Sequence, residues 1–421
     1  MIWHRADCFR EINDRPREGG SLLCADALRL DLSALKGQVQ CIYLDPFGVS
    51  GEQFFCKTRL GEDGWASSRQ AIFIPAYADL PPSRESVALK ALKEMLLAAR
   101  NLLTPTGSAF LHTSDRLSAR SRLLMDEVFG AENFRNEIIW SYQTGGRSKR
   151  FFSRKHDGIL FYANSPDHFF ELDQVPVKRQ ESRSNHLRRR VDGKGRSYRS
   201  IMSGGKEYIY YDDEPVYPSD VWADVSQMQQ KDPQRTGYPG QKPQALLERI
   251  ILSTTRPGDL VADLTCGSGT ALLAAAANGR RFLGVDMSGA AYAVCRKRLD
   301  AYRLVCQAPL SDNGAMLDAA TLPGIGYYTV SINAFMLPED DLAGFRLEPE
   351  GFMPRGLDLV DQWYAGLLNN GVFTAYASSL RTKQTPRLQV SLEVPLLRGT
   401  VAVMVIDVLG RRTLWAGSPV L

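Results

Sequence analysis

Apolar strand patterns and helical patterns alternate along this chain, and that alternation limits its possible folds more than any other feature. Between Leu260 and Val285 an apolar run, a glycine-rich turn, a helix-forming stretch and a second apolar run follow in that order. Ser86–Leu103 is a predicted helix, because its apolar residues recur on one face at helical spacing, and Leu117–Phe129 is a second predicted helix. Strands that alternate with helices predict an α/β fold with a doubly wound parallel sheet.

The composition suits a large folded protein. Hydrophobic residues make up 44% of the 421 positions, and the formal net charge is only +4. No apolar run reaches the length of a membrane span, and the start of the chain lacks the apolar core of a signal peptide. The seven scattered cysteines form no CxxC pair and the five histidines show no ligand spacing, so we expect a cytoplasmic protein without a metal site.

The charge is unevenly distributed along the chain. Residues 141–200 hold fourteen Lys or Arg against six Asp or Glu, whereas residues 311–421 hold eight against eleven. Aromatic residues such as Tyr142, Phe151 and Tyr198 are interleaved with these cations. Cations suit phosphates and rings suit bases, so this segment favours nucleic-acid binding, although composition alone leaves a plain solvated surface equally open.

The helical patterns become sparse beyond about residue 310. Leu388–Val394 alternates apolar and polar residues as a half-buried strand does, and Val401–Leu409 is a continuous apolar run typical of a buried strand. We therefore expect a main α/β domain over residues 1–310, which includes the basic segment 141–235, and a β-rich accessory domain over residues 311–421. Because its charge and pattern differ, we expect the second domain to be dispensable for ligand binding by the first.

A glycine-rich turn at residues 260–269 (LVADLTCGSG) has the features of a nucleotide-cofactor site. Asp263 ends a predicted strand, the turn Cys266–Gly269 follows, and a helix starts near Thr270. Glycines let a ligand approach the backbone, and the N–H groups at a helix start suit a carboxylate. Asp286 ends the next strand, where an acid can accept both hydroxyls of a ribose. The alternative is a structural turn followed by a strand-capping aspartate.

Three motifs in one order resemble a known family. Cys41–Gly51 (CIYLDPFGVSG), Gly237–Ile251 (GYPGQKPQALLERII) and the glycine-rich turn are similar to the motifs of the N4-cytosine/N6-adenine DNA methyltransferases. The order is that of the permuted β-class, with the catalytic motif first and the cofactor motif last, and the resemblance covers roughly residues 20–305. It implies methyl transfer from S-adenosylmethionine to an exocyclic amine of double-stranded DNA.

The resemblance also implies roles for individual residues. The amine is a poor nucleophile because its lone pair is delocalised into the ring, so the Asp45 side chain and the Pro46 carbonyl would hold its protons. An aspartate here, rather than a serine, favours adenine N6 over cytosine N4. The implied cofactor-binding residues are Asp26, Lys242, Pro243, Asp263, Cys266, Gly267, Ser268, Gly269, Thr270 and Asp286. The candidate DNA-binding residues of the basic segment are Arg147, Lys149, Arg150, Arg154, Lys155, Arg188, Arg189 and Arg190.

Some residues keep a structural alternative. Asp26 is either a cofactor contact or a cap at the end of a strand. His112 is expected to be a packing residue rather than a catalyst, and Trp140 and Trp222 are expected to lie in the core. No nuclease or ATPase motif is present in the sequence, so we expect a methyltransferase that acts alone, as a homodimer, or with a separate restriction subunit.

The catalytic loop departs from the family pattern of Asp-Pro-Pro followed by an aromatic residue. Phe47 stands at the second proline and Gly48 at the aromatic position, whose ring stacks on the extruded base in the family. Either Phe47 takes over that stacking or the stacking is lost. Leu264 and Thr265 likewise replace the usual Pro-Phe of the cofactor loop. Two functions therefore stay open, an active methyltransferase and a degenerate relative that binds DNA without methyl transfer, while methylation of RNA or protein has less support.

Overall fold

The computed structural model of the protein describes residues 9–46, 48–67, 69–143, 148–177, 189–311 and 314–420. Its main feature is a mixed sheet of fourteen strands. The strands in the first half are β1 (Phe9–Asn13), β2 (Arg17–Cys24), β3 (Val39–Leu44), β4 (Gln53–Arg59), β5 (Ala71–Ala78), β6 (Leu103–Thr113), β7 (Phe134–Ser141), β8 (His156–Ala163), β9 (Arg190–Val191), β10 (Ser197–Ser203) and β11 (Lys206–Tyr211). The strands in the second half are β12 (Val221–Trp222), β13 (Leu260–Asp263), β14 (Arg281–Asp286), β15 (Tyr302–Ala308), β16 (Met316–Pro323), β17 (Tyr327–Met336), β18 (Arg346–Glu348), β19 (Val360–Asn369), β20 (Val372–Leu380), β21 (Ser391–Pro395), β22 (Gly399–Asp407) and β23 (Arg412–Val420). The α-helices are α1 (Gly61–Ser67), α2 (Glu85–Leu102), α3 (Ser118–Phe129), α4 (Gln244–Thr254), α5 (Thr270–Ala277) and α6 (Gly289–Arg298).

The centre of the sheet is parallel and has helices on both faces. The strands β6, β3, β13, β14, β2 and β15 lie side by side in that order and in one direction. Along β3, Cys41 and Tyr43 pack with α4 and α5, whereas Ile42 and Leu44 pack with α2 and α3. This two-sided burial explains why the strand reads as an unbroken apolar run. The predicted α/β doubly wound fold is confirmed.

One antiparallel strand adjoins each edge of this parallel centre, and further strands extend the sheet beyond it. On one side β8 runs antiparallel to β6, and β7 and β12 follow outward. On the other side β1 pairs with β15, and β20, β19, β22 and β23 continue outward from β1. Trp140 and Trp222 are both buried in the core, as predicted. None of the helices within the described ranges is long and apolar enough to cross a membrane.

Residues beyond 310 are rich in strands, and their strands belong partly to the main sheet. The apolar run at Val401–Leu409 forms the buried strand β22, while the alternating run at Leu388–Val394 forms a strand only from Ser391 onward. The sheet runs through β1 and β20 without a break. A division of the chain into two domains at residue 310 therefore stays a prediction, and the main sheet crosses that boundary.

The dispensability of residues 311–421 stays a prediction, and the packing of these residues argues against it. Tyr364, Phe373 and Met404 are fully buried in the same apolar cluster as the central strands. Arg412, from β23, lies 3.8 Å from the buried carboxylate of Glu11 in β1. A difference in charge and pattern between two regions of a sequence does not prevent them from sharing one core, and here they do.

Three smaller sheets complete the described fold, and one of them joins β16, β17 and β21. The hairpin β4–β5 follows the catalytic loop and pairs with β18 from the second half of the chain. The strands β9, β10 and β11 form a three-stranded sheet within the basic segment. Its side chains Met202, Tyr208 and Tyr210 are exposed.

Candidate active site

A cavity of about 740 Å³ opens at the carboxyl ends of the central strands β2, β3, β13 and β14. Because parallel strands end on the same edge of a sheet, residues distant in sequence meet there, and ligands of open α/β sheets bind at such an edge. The predicted site residues that line the cavity are Asp26, Asp45, Pro46, Lys242, Asp263, Cys266, Gly267, Ser268, Thr270 and Asp286. Pro243 and Gly269 instead cap the starts of α4 and α5, and Phe47 lies outside the described residues.

Asp45 stands directly after β3 and is held by residues from two other loops. Its Oδ2 atom accepts a hydrogen bond from the Lys242 Nζ atom at 2.6 Å. Its backbone N–H donates to the Thr265 hydroxyl at 3.2 Å. Within the described residues, the Asp45 side chain has no other hydrogen-bond partner, so its Oδ1 atom remains available to a ligand. Thr265, which replaces an aromatic ring of the family pattern, thus ties the catalytic loop to the cofactor loop.

The cofactor loop is a tight glycine turn fastened to the end of β14. Gly269 adopts a left-handed conformation with φ of +73°, and a Cβ atom there would lie 2.6 Å from the Cys295 sulfur, so this position requires glycine. The Gly267 N–H donates to the Asp286 Oδ2 atom at 2.8 Å, and the Ser288 N–H donates to Oδ1 at 2.9 Å. Asp286 therefore orders the loop in addition to lining the cavity.

Carboxylates concentrate negative charge in the cavity. Burial raises the pKa of Asp263 well above its ordinary value, the Thr265 N–H acts against this, and the nearby Asp45 and Asp286 carboxylates raise it further. Burial also raises the pKa of Asp286, although backbone N–H groups oppose the shift. A ligand that carries positive charge would reduce the electrostatic repulsion between these carboxylates.

The chemistry of the cavity fits S-adenosylmethionine, the cofactor that the resemblance implies. Its ammonium and sulfonium groups are cations, which suit the carboxylates of the cavity. Its carboxylate suits the free N–H groups at the start of α5, where Gly269 leads into Thr270. Asp26 lines the cavity and also caps a short turn, because its Oδ1 atom accepts a hydrogen bond from the Leu28 N–H at 3.1 Å.

His112 belongs to a polar chain on one wall of the cavity. The Tyr43 hydroxyl lies 2.9 Å from His112 Nδ1, and His112 Nε2 lies 3.1 Å from an Asp157 oxygen. The Tyr142 hydroxyl donates to the other Asp157 oxygen at 3.2 Å. Burial acts to raise the pKa of Asp157, but His112, Lys242 and Tyr142 together lower it below its ordinary value. The sequence analysis missed Tyr43 and Asp157, because no local pattern relates residues so far apart in the chain.

The hairpin β4–β5 forms another wall, which the sequence analysis also missed. Phe54, Tyr77 and Asp79 line the cavity from this hairpin, and Tyr238 lines it from the loop before α4. The Tyr238 ring packs so closely on the cofactor loop that a Cβ atom on Gly267 would lie 3.0 Å from it. Aromatic residues spaced irregularly around a bulge give no periodic signal that sequence analysis could have used.

The candidate DNA-binding cations differ in whether an acidic side chain of the protein pairs with them. Arg154 pairs with Asp115 at 2.7 Å, Arg189 pairs with Asp212 at 2.7 Å, and the Arg190 guanidinium lies 3.9 Å from Glu207. The ammonium of Lys155 lies 3.5 Å from a backbone carbonyl. In the described part of the chain, Lys149 and Arg150 have no ion-pair partner. The remaining candidates, Arg147 and Arg188, lie outside the described residues.

We refer to residues 148–155 as the basic loop, and this loop lies beside the cavity. Asp115, the ion-pair partner of Arg154, is itself a cavity-lining residue. The neighbouring ring of Phe152 is 99% exposed, and the ring of Phe151 lies under the Arg154 guanidinium.

In the ranges that the structure describes, no group of three or more His, Cys, Asp or Glu side chains is arranged to hold a metal ion.

Comparison with known proteins identifies relatives of this chain. The sequence profile of the N6/N4 DNA methylase family matches residues 82–296. The Type II methyltransferase M.BglII of Bacillus subtilis is 28% identical over 209 residues, which cover 47% of this chain and 53% of that protein. The DNA adenine methyltransferase YhdJ of Escherichia coli (strain K12) is 26% identical over 219 residues, which cover 52% of this chain and 68% of that protein.

A solved structure also aligns with much of the chain. The PvuII DNA methyltransferase, described as cytosine-N4-specific, matches at 13% identity with a TM-score of 0.44, covering 68% of this chain and 90% of that chain. The chain spans between about half and two thirds of the length of the curated relatives named above. Since the family profile matches half of the sequence, the chain belongs to the N4-cytosine/N6-adenine DNA methyltransferase family.

Proposed function

We propose that the protein is a site-specific DNA methyltransferase that uses S-adenosylmethionine to methylate an exocyclic base amine, with adenine N6 as the target atom. The observation that carries the proposal is the meeting of Asp45, Pro46 and the cofactor loop in one cavity. Adenine is favoured by the aspartate at position 45, and one relative is named a DNA adenine methyltransferase. A cytoplasmic location, and either a homodimer or a separate restriction subunit, belong to the same proposal.

The residues of the catalytic loop hold the amine in a reactive geometry. The Asp45 Oδ1 atom and the Pro46 carbonyl accept its two N–H groups, which draws the nitrogen lone pair out of the base ring. Lys242 keeps the Asp45 carboxylate oriented through the contact of 2.6 Å. When bound, S-adenosylmethionine would supply the methyl group as an electrophile, and its sulfur would keep the electron pair of the broken C–S bond as a neutral thioether. Asp45 can then take up the proton that the nitrogen releases, and fixed positioning of this kind supplies a large share of a reaction rate.

Methyl transfer to genomic DNA tests the proposal. The whole protein is incubated with tritiated S-adenosylmethionine and DNA that lacks modification, and the digested DNA is separated into its nucleosides. We expect the label in N6-methyladenine. Label in N4-methylcytosine would overturn the choice of base, and transfer to RNA or protein in place of DNA would overturn the proposed substrate.

A second candidate function is DNA and cofactor binding without methyl transfer. It is favoured by Gly48, which supplies no ring at the position where the family carries one. Cofactor affinity together with an absence of label in DNA, RNA and protein would support this candidate. Label in DNA would exclude it.

The affinity for the cofactor should depend on Asp286. Replacing Asp286 with alanine removes a charged acceptor and releases the Gly267 N–H, and hydrogen bonds to charged groups are worth about 1.5–3 kcal/mol. We therefore expect the dissociation constant of S-adenosylmethionine to rise roughly ten- to a hundredfold, measured by isothermal titration calorimetry. Asp167→Ala, at an exposed position after β8, is the matched control and should bind like the wild type. Unchanged affinity in Asp286→Ala would place the cofactor elsewhere.

The salt dependence of DNA binding should depend on the unpaired cations of the basic loop. Changing Lys149 and Arg150 to glutamate leaves two phosphates without a cation, so the slope of log affinity against log salt should fall in magnitude by about 0.9 for each of these phosphates. Binding is measured by fluorescence anisotropy at several salt concentrations. Lys383→Glu with Arg398→Glu makes the same change of charge on the exposed surface beyond residue 310 and should leave the slope unchanged. If the double variant at Lys149 and Arg150 kept the slope of the wild type, the DNA surface would lie outside this loop.

A further inference from the structure

The Asp79 carboxylate occupies the space that a side chain at position 48 would need. A Cβ atom added to Gly48 would lie 2.7 Å from the Asp79 Oδ2 atom. Asp79 is held in place, because it accepts hydrogen bonds from the Gly48 N–H at 2.7 Å and from the Ser50 hydroxyl at 2.7 Å. A ring at this position would therefore require the Asp79 carboxylate to shift and to give up these hydrogen bonds.

The hairpin that closes position 48 brings its own ring into the cavity. Asp79 directly follows β5, and Tyr77 lies two residues earlier, so in extended backbone their side chains point to the same side. Both residues line the cavity. The pairing of β4 with β5 shifts register between Phe54 and Phe55, next to Tyr77. Bulges of this kind re-aim side chains beside active sites.

Tyr77 does not stand alone in the cavity wall. Phe54 lies opposite Tyr77 across the hairpin, and their ring centroids are 4.7 Å apart with an angle of 22° between the planes. Both rings are half-buried and both line the cavity. We refer to Phe54 and Tyr77 as the aromatic platform. Because each ring supports the other, little conformational freedom remains to be lost when a third flat group stacks on them.

The aromatic platform lies close to the group that is proposed to hold the amine. A Cβ atom on Gly240 would lie 3.1 Å from the Tyr77 hydroxyl, and the Gly240 carbonyl accepts a hydrogen bond from Lys242 at 3.4 Å. Lys242 in turn contacts Asp45. Burial raises the pKa of Tyr77, and the carboxylates of Asp45 and Asp79 raise it further, so the phenol stays neutral.

We infer that the aromatic platform stacks on the target base after the base has left the duplex, in place of a ring in the catalytic loop. This inference rests on the proposed function, because only a methyltransferase that acts on a base inside a duplex needs to extrude it. Asp45 and the Pro46 carbonyl hold the edge of the base, and the aromatic platform holds its face. Stacking tolerates any base, so the choice of base falls to the groups at the edge.

Replacing Tyr77 with leucine tests the inference, since leucine fills a similar space without an aromatic face. We expect kcat/KM for DNA to fall roughly ten- to a hundredfold, as base–aromatic stacking energies imply. The affinity for S-adenosylmethionine, measured by calorimetry, should stay close to that of the wild type. Tyr77→Phe keeps the ring and loses only the hydroxyl, so it should restore most of the activity.

Two further variants separate the aromatic platform from its alternatives. Phe73→Leu alters another ring of the same hairpin, which packs against Lys57 and Arg346, and should leave methylation unchanged. Phe47→Leu tests whether the ring in the catalytic loop does the stacking instead. A loss confined to Phe47→Leu, with Tyr77→Leu as active as the wild type, would overturn the inference and leave the proposed function intact. Absence of methylation by the wild type would overturn the proposed function itself, and the inference with it.

A rebuilt loop supplies a reciprocal test. Asp79→Gly together with Gly48→Tyr opens the space at position 48 and places a ring there. In the Tyr77→Leu background these two changes should recover part of the lost kcat/KM, because the loop ring then replaces the aromatic platform. If Tyr77→Leu lowers cofactor affinity through collapse of the cavity wall, Phe54→Leu decides the question. A Phe54→Leu variant with intact cofactor affinity and undiminished methylation would overturn the inference.

Discussion

Replacing Asp45 with alanine should reduce methyl transfer to DNA by roughly a hundred- to ten-thousandfold, the range that positioned acid–base side chains commonly contribute. The variant has no carboxylate to accept an amine proton, and it leaves the Lys242 ammonium without the partner that lies 2.6 Å away. The rate is measured at saturating DNA and cofactor, so that chemistry and not binding limits it. Calorimetry should show a much smaller change in the affinity for S-adenosylmethionine.

Asparagine at position 45 provides the control for this prediction. Its amide oxygen still accepts one hydrogen bond from the amine, but it carries no charge and cannot take up the released proton. We therefore expect the rate of Asp45→Asn to lie between those of the wild type and Asp45→Ala. Methylation by Asp45→Ala at the rate of the wild type would remove this loop from the catalytic centre.

Deleting residues 311–421 should leave a fragment that does not fold, which is the second large effect we expect. The deletion removes Tyr364, Phe373 and Met404 from a core shared with the central strands. Burial of one large apolar side chain is worth about 1.5–3 kcal/mol, and a whole protein is stable by only about 5–15 kcal/mol. The loss of these three side chains is thus comparable to the entire stability, before the exposed edge of β1 is considered.

Size-exclusion chromatography and circular dichroism of fragment 1–310 measure this effect. We expect aggregated or unfolded material. The control is co-expression of fragment 1–310 with fragment 311–421, which supplies the missing strands and should yield a soluble complex that binds S-adenosylmethionine. A monomeric fragment 1–310 with a cooperative thermal transition and cofactor affinity would contradict the prediction and restore the view of an independent accessory domain.

Local patterns in the sequence were sufficient for the central part of the fold. The helical spacing of Ser86–Leu103 and the apolar run Val39–Leu44 correspond to α2 and β3 within one residue at each end. The glycine turn at Cys266–Gly269 needs left-handed backbone at two positions, which glycine alone adopts readily. The two glycines therefore predict the conformation of the turn. Such features depend on neighbours a few residues apart, and a sequence displays those neighbours directly.

The cofactor half of the candidate site was predicted for the same reason, and its assembly follows from topology. Asp263 and Asp286 each end a strand, and adjacent parallel strands place such ends together. The strand β1 was missed because it has only five residues, and the full extent of β2 was missed because two glycines interrupt its apolar pattern. The partners of both strands lie far away in the chain, at β15 and β14. Nothing near Phe9 or Gly20 in the chain indicates which strand each will pair with.

By itself, the sequence determined the α/β class, the helices and strands at the centre of the sheet, the glycine turn and the identity of the family. Only the tertiary structure decided that Lys242 donates a hydrogen bond to Asp45 and that Asp79 occupies the space beside Gly48. It likewise decided that Tyr77 and Phe54 line the cavity. It also decided that the last hundred residues share the core of the main sheet. The physical reason is that hydrogen bonds within a turn or helix join near neighbours, whereas these contacts join residues that only the folded sheet brings together.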